Sequence, residues 1–194
     1  MRYLVNTNKL GPNPSPKADV PDAGYAPASH RLASIRYPMV THVHEDPART
    51  TPIGLARYAQ EFLRASLKAD DGMGGGREHD FVAPIPVLYL AGHSIELALK
   101  SFLLHKGVTL RELRVKYGHD LGRSFKKAKE LGLLGHAKFE DVELGAFAVL
   151  DDLYSSKQLE YIVTGTKAFP MFGPIESFAK KLNAAVAPLV GYAR

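Results

Sequence analysis

The segment from Val87 to Lys106, VLYLAGHSIELALKSFLLHK, most constrains the fold, because it is predicted to be a helix with two apolar sides. One line of apolar residues recurs at the three-and-four spacing of a helical face: Leu88, Ala91, Ile95, Ala98, Leu99 and Phe102. A second line runs down nearly the opposite side at heptad spacing: Leu90, Leu97 and Leu104. Such a helix needs cover on both sides. We therefore expect it to be the centre of a bundle or to share a face with a second subunit.

A stripe of ionisable residues interrupts this apolar surface. Tyr89, His93, Glu96 and Lys100 fall within an arc of roughly 60° at helical spacing. Because an unpaired buried charge is costly, these groups need partners or water. Two interpretations remain open at this point. Either Glu96 and Lys100 form an ordinary one-turn pair while His93 caps a neighbour, or the stripe lines and supports a cleft.

Capping residues and apolar periodicity predict further helices on either side of the central one. Pro-rich and Gly-rich segments separate them, and no alternating pattern typical of a sheet is found, so the predicted class is an all-α bundle of about five to six helices. The predicted helices run from Pro52 to about Lys68, from Leu110 to about Val115, from Leu121 to about Leu131, from about Phe139 to Tyr154 with Val142 inward, and from about Pro174 to Leu189. A short extended piece is predicted at Tyr161, Ile162 and Val163.

Residues 1–50 are predicted to be an extended arm that precedes a helical domain at 51–194, because seven prolines exclude a long helix or a central strand. Two apolar patches, Tyr3 to Val5 and Ile35 to Val40, are expected to attach the arm to the domain or to a neighbouring subunit. His42, His44 and Asp46 alternate, so an extended strand would present all three to one metal ion, although a solvated histidine-rich strand is the simpler explanation. The glycine-rich segment from Asp70 to Asp80 is predicted to be a loop.

Composition narrows the class of protein further. The chain contains no cysteine, which excludes disulfides, thiolate catalysis and cysteine-based zinc sites. The N-terminal sequence has no apolar segment of signal-peptide length, so we expect a soluble, cytoplasmic protein without membrane contact. Beyond the alternating histidines, the sequence predicts no metal site and no cofactor.

The positive charge of the chain is concentrated in one window. Residues 106–130 contain eight basic and three acidic residues, and their net charge of +5 equals that of the whole chain. Such a concentration is typical of proteins that bind a polyanion, although a solvated basic face is the simpler explanation. The residues that we assign to binding of RNA or nucleotide are Arg111, Lys116, Tyr117, Arg123, Lys126 and Lys127.

Arg114 and His119 lie within this positive window and are candidates for chemistry. Cleavage of RNA without a metal requires a group that moves the proton of the ribose 2′-hydroxyl and a cation that holds the phosphate. Histidine can do the first and arginine the second. The alternative is that His119 helps to cap the helix that Asp120 begins.

The run GHSIELALKSFLLHKG, followed by RVKYGHDL and by a basic helix ending in AKELGL, resembles the HEPN superfamily of helical-bundle domains. The resemblance covers about Thr51 to Gly132 well and the rest loosely. It implies binding of RNA or nucleotide and metal-independent endoribonuclease activity in a toxin–antitoxin or defence system. It also implies catalysis by an arginine and a histidine four to six residues apart in a homodimer cleft, a spacing that Arg114 and His119 meet.

A second class of function is left open by the sequence. In that alternative the chain is a non-catalytic helical scaffold whose arm and leucine line bind a protein partner, such as an antitoxin-type protein or another subunit. Catalysis requires Arg114 and His119 to be accessible in one cleft, whereas a scaffold predicts that His119 turns into its own helix cap.

Overall fold

The computed structural model describes residues 3–6, 49–73, 83–161 and 165–192, and this part of the chain is mainly α-helical, as predicted. Its helices are α1 (Pro52–Met73), α2 (Ile85–His105), α3 (Leu110–Glu112), α4 (Leu121–Glu130), α5 (Asp141–Ser155) and α6 (Phe172–Leu189). A π-helical turn, Leu113–Tyr117, continues α3, and a 3-10 turn, Leu133–Gly135, follows α4. Two short strands, β1 (Tyr3–Asn6) and β2 (Thr166–Phe169), form an antiparallel pair.

The predicted central helix is confirmed, because α2 packs against α1, α4, α5 and α6. Leu88, Ile95, Leu99 and Phe102 on its first apolar line have no exposed surface. The second line is only partly buried within one chain, so cover by a second subunit stays a prediction. By length and composition alone α2 could cross a membrane, yet 67% of its apolar segment is buried inside the bundle.

Serine hydroxyls fix α1 against α2 at three levels of their interface. Ser66 donates to the carbonyl of Val87 at 2.9 Å, and Ser94 donates to the carbonyl of Ala59 at 2.7 Å. At the third level Ser101 donates to the carbonyl of Pro52 at 2.7 Å. Because each serine hydroxyl donates a hydrogen bond to a backbone carbonyl, these buried polar groups are satisfied although the surrounding contact is apolar. They hold α2 in a fixed rotational position relative to α1.

Local capping explains where several helices begin. The Thr51 hydroxyl accepts the Gly54 amide at the start of α1, as the sequence predicts. Thr109 and Glu112 form the predicted capping box of α3. The Asp120 carboxylate accepts the amide of Arg123 at 2.7 Å and caps α4. Asp120 therefore caps α4, the role that the scaffold alternative assigns to His119.

The strand pair joins the start of the described chain to the segment between α5 and α6. Tyr3 pairs with Phe169 and Asn6 with Thr166, so the first apolar patch of the arm is attached to the domain as a strand. The remainder of the arm, including Ile35 to Val40 and the candidate metal ligands His42, His44 and Asp46, lies outside the described residues.

Two local predictions are corrected, and a third lies mostly outside the described residues. Helix α1 continues to Met73, so the start of the predicted glycine-rich loop is helical; residues 74–82 are not described. Val142 is 54% exposed instead of inward, because α5 begins at Asp141 and turns the carboxylate of Glu143 inward to Lys181 and Ser177. Tyr161 is not in a strand, whereas Ile162 and Val163 of the predicted extended piece lie outside the described residues; a strand occurs at Thr166–Phe169.

We predict that Gly92→Ala destabilises the fold. A Cβ atom at Gly92 would lie 2.5 Å from Cδ2 of Tyr154, whose ring is fixed by hydrogen bonds at its hydroxyl. Overpacking of this kind costs about 1–3 kcal/mol, which urea unfolding followed by circular dichroism would measure. The matched control is Gly145→Ala on the exposed side of α5, where a Cβ atom meets nothing within 4 Å. The free energy of unfolding of this control should rise by up to about 1 kcal/mol, because alanine has a higher helix propensity than glycine. Equal stability changes in the two variants would contradict the close packing.

Candidate functional site

The candidate site is centred on the carboxylate of Glu96, which is 2% exposed in the middle of α2. Lys100, one turn further along the helix, pairs with its Oε1 atom. The other oxygen, Oε2, accepts the Tyr154 hydroxyl at 2.6 Å and contacts Nδ1 of His119 at 3.1 Å. The acidic group is therefore bound by side chains from three different parts of the chain. The predicted one-turn pair of Glu96 and Lys100 exists, but it is part of a larger network.

Tyr154 reaches Glu96 because α5 crosses α2 at a glycine. Gly92 has no side chain, so the Tyr154 ring lies directly against the α2 backbone with its hydroxyl beside the carboxylate. The same hydroxyl lies 3.0 Å from Nδ1 of His93. Since the phenol donates its hydrogen to Glu96, its oxygen must accept from His93. His93 is thus linked to the carboxylate through Tyr154, while its own distance to Oε2 is 3.7 Å.

The protonation of the cluster follows from these contacts. Burial would raise the pKa of Glu96, but its interactions with His93, Lys100 and Tyr154 outweigh burial and hold that pKa well below its usual range. Burial and the neighbouring carboxylate raise the pKa of Tyr154. Glu96 is accordingly ionised, and Tyr154 stays protonated as a hydrogen-bond donor.

His119 lies where the π-helical turn meets α4. Gly118 has a φ of 50°, a conformation that glycine adopts readily, and it turns the chain so that the imidazole faces Glu96. Ser155 on α5 holds the backbone here: its hydroxyl lies 3.1 Å from the carbonyl of His119 and accepts the amide of Leu121 at 3.3 Å. The position of His119 is therefore fixed from both α2 and α5.

The hydrogen bond to Glu96 determines the chemical character of His119. An ionised carboxylate only accepts, so Nδ1 of His119 carries the hydrogen. The other ring nitrogen, Nε2, is left for solvent or a ligand, and the side chain is 51% exposed. An imidazole held in this way by a carboxylate has a fixed tautomer, in which Nε2 carries the free lone pair and can accept a proton.

Arg114 is exposed on the π-helical turn that precedes His119. Its side chain makes no hydrogen bond or ion pair with any residue in the described ranges. The structure thus places both predicted residues at the surface, and His119 is not part of the α4 cap. It brings His119 to Glu96, whereas no direct contact joins Arg114 to His119.

The predicted basic surface forms a concavity of about 200 Å³ beside this turn. Its lining residues are Lys116, Tyr117, Arg123, Lys126, Lys127 and Glu130. Arg123 donates to the carbonyl of Lys116 at 2.9 Å, which ties the π-helical turn to α4. Tyr117 is only 3% exposed, so its ring belongs mainly to the core. Arg111 lies apart from this concavity, in a groove with Leu104 and Thr109.

Sequence reasoning missed Tyr154 and Ser155 as site residues. Tyr154 was predicted to be an ordinary inward residue of α5, and Ser155 was not singled out. One local signal could have indicated Tyr154. Gly92 lies beside the polar stripe, and a glycine inside a buried helix usually makes room for a bulky side chain from another element. Within the described ranges, no group of three or more histidine, aspartate or glutamate side chains is arranged to hold a metal ion.

Comparison of this chain with models of protein families, with curated proteins and with solved structures finds no match. The proposed function therefore rests on the chemistry of the site.

The Glu96 network makes a prediction about acid stability. Because the pKa of Glu96 is lower in the folded than in the unfolded state, its contribution to stability is full above the ordinary value of 4.5 and is lost as the pH falls below it. The wild type should therefore lose stability on acidification faster than Glu96→Gln, by up to about 1.4 kcal/mol per pH unit for one proton. Urea unfolding between about pH 6 and pH 3, a range that spans the ordinary carboxyl pKa of about 4, would measure how the stability of each protein changes with pH. Parallel pH profiles would show that Glu96 is not held ionised by its partners.

Proposed function

We propose that this chain is a HEPN-like RNA-binding domain that cleaves RNA as a metal-independent endoribonuclease of a toxin–antitoxin or defence system. The observation that carries the proposal is the half-exposed imidazole of His119, whose Nδ1 atom is bound to the buried carboxylate of Glu96 at 3.1 Å. A histidine whose tautomer is fixed by a carboxylate presents its free ring nitrogen for general-base catalysis.

In this mechanism Nε2 of His119 accepts the proton of the ribose 2′-hydroxyl. The 2′-oxygen then attacks the adjacent phosphorus, and the 5′-oxygen of the next nucleotide leaves. The guanidinium of Arg114 holds the non-bridging phosphate oxygens, whose charge increases in the transition state. Because the nucleophile belongs to the substrate, the product carries a 2′,3′-cyclic phosphate.

The basic concavity supports RNA as the substrate. Lys116 of the π-helical turn and Arg123, Lys126 and Lys127 of α4 line it. Arg114 and His119 do not line the concavity, but each lies within three residues of Lys116 or Tyr117, which do. Phosphate contacts supply affinity without reading base sequence, so the concavity favours a substrate class rather than a particular sequence.

A non-catalytic interaction module remains the competing proposal, and one observation favours it. Val115, directly after Arg114, is 79% exposed, which places an apolar side chain beside the candidate catalytic residues. A protein partner, such as an antitoxin-type protein or the second subunit of a homodimer, could cover Val115. In the competing proposal the Glu96 network serves only to fix α2, α4 and α5 together.

We predict that the purified protein cleaves mixed RNA in excess chelator and leaves a 2′,3′-cyclic phosphate or its hydrolysis product. His119→Ala and Arg114→Ala should each lower the rate on the order of 10² or more, because they remove the base and the charge stabiliser. The double variant should be little worse than the poorer single variant, since both groups act on one transition state.

The matched controls are His136→Ala and Arg64→Ala, which change exposed residues outside the site and should retain the wild-type rate. RNA with a 2′-deoxyribose at the cleavage position should resist. Equal cleavage of the deoxy substrate, or full activity of His119→Ala, would contradict the mechanism and favour the interaction module.

We also predict salt-sensitive binding of single-stranded RNA through the basic concavity. Lys126→Glu combined with Lys127→Glu should weaken binding and flatten the dependence of log affinity on log salt by roughly 1–1.5, because two phosphate contacts are lost. Fluorescence anisotropy at several salt concentrations would measure this slope. Lys138→Glu combined with Lys180→Glu changes the net charge equally at exposed positions outside the concavity. If both double variants bind alike, the basic residues form only a solvated face.

A further inference from the structure

His93 forms a second imidazole site on the same carboxylate. Its Nδ1 atom lies 3.7 Å from Oε2 of Glu96 and 3.0 Å from the hydroxyl of Tyr154. Nδ1 of His119 lies 3.1 Å from the same Oε2 atom. Two imidazoles from different elements, α2 and the turn before α4, are therefore adjacent on one buried oxygen.

The two histidines have the same orientation relative to the Glu96 network. Each directs Nδ1 into the network, and the Nε2 atom of each makes no hydrogen bond to a described residue. The side chain of His93 is 26% exposed and that of His119 is 51% exposed, so both rings reach the surface. The His93 ring also packs perpendicular to the Phe62 ring, with 4.4 Å between ring centroids, and parallel to the Tyr89 ring, with 6.2 Å between centroids.

Polar and charged groups surround the pair of imidazoles. The groups that face His93 are Tyr89, Glu96 and Lys100 on α2, Tyr154 on α5, His119 before α4, and the apolar Phe62 on α1. Lys100 pairs with Oε1 of Glu96, while both imidazoles lie beside Oε2 of the same carboxylate.

Cleavage of RNA by its own 2′-hydroxyl needs an acid as well as a base, because the departing 5′-oxygen must gain a proton. We propose that His93 is this acid, so that one chain contains a complete acid–base pair on Glu96. This inference rests on the proposed ribonuclease function and adds a residue to it.

The proton balance closes within the site. The 2′-oxygen forms a bond to phosphorus as its proton passes to Nε2 of His119, and the bond from phosphorus to the 5′-oxygen breaks as protonated His93 gives that oxygen a proton. His119 ends protonated and His93 neutral. Exchange with solvent restores the starting state, so no further reactant is required.

The experiment compares two substrates that differ in their leaving group. A dinucleoside monophosphate releases a 5′-alkoxide that needs a proton, whereas uridine 3′-(4-nitrophenyl phosphate) releases a phenolate that does not. His93→Gln and His93→Asn should lower the rate on the dinucleotide on the order of 10² while cleaving the aryl ester at close to the wild-type rate. His119→Gln should lose both activities, because both substrates need the base.

His105→Gln is the matched control, since His105 is an exposed histidine on the same helix. It should change neither rate. Near-normal cleavage of the aryl ester would also demonstrate that the His93 variants are folded.

The possible outcomes separate the inference from the function on which it rests. If both His93 variants lose the two activities equally, or lose neither, His93 is not the acid although the ribonuclease function stands. If the wild-type protein cleaves neither substrate, the proposed ribonuclease function itself fails, and the role of His93 fails with it.

Discussion

The buried carboxylate of Glu96 is the interaction on which the structure of the site depends. An ionised group with 2% exposure would be strongly destabilising without partners, yet Lys100, Tyr154 and His119 satisfy it from three segments. Each partner has a requirement of its own. Tyr154 needs the missing side chain of Gly92, and His119 needs the sharp turn at Gly118. The carboxylate therefore couples the packing of α5 and α2 to the position of an exposed imidazole.

Much of the fold could be predicted because its signals are local in sequence. The two apolar lines of α2, the capping box of Thr109 and Glu112, and the cap at Asp120 each involve residues within a few turns of one another. For the same reason the sequence located the polar stripe of α2 and the basic face of α4. These patterns identify which elements form and which surfaces carry charge.

The assembly of the site could not be predicted, because its contacts join residues far apart in the chain. Tyr154 lies 58 residues from Glu96 in sequence, and its aromatic character predicts only burial. The burial of Glu143 could not be predicted for the same reason. Apolar periodicity favoured an inward Val142, whereas the ion pair between Glu143 and Lys181 determines which face of α5 is buried. The pairing of Tyr3–Asn6 with Thr166–Phe169 also depends on tertiary contact, since neither strand shows alternation strong enough to predict it.

The orientation of His119 by Glu96 is tested most directly by nitrogen-15 NMR of the imidazole rings, which distinguishes a protonated Nδ1 from a protonated Nε2. In the neutral wild-type ring, the hydrogen should reside on Nδ1, because the Glu96 carboxylate can only accept. The neutral glutamine of Glu96→Gln should shift His119 toward the Nε2-protonated form that unconstrained histidine favours. A wild-type His119 with its hydrogen on Nε2 would contradict the hydrogen bond to Glu96 and, with it, the assignment of the free nitrogen as a base.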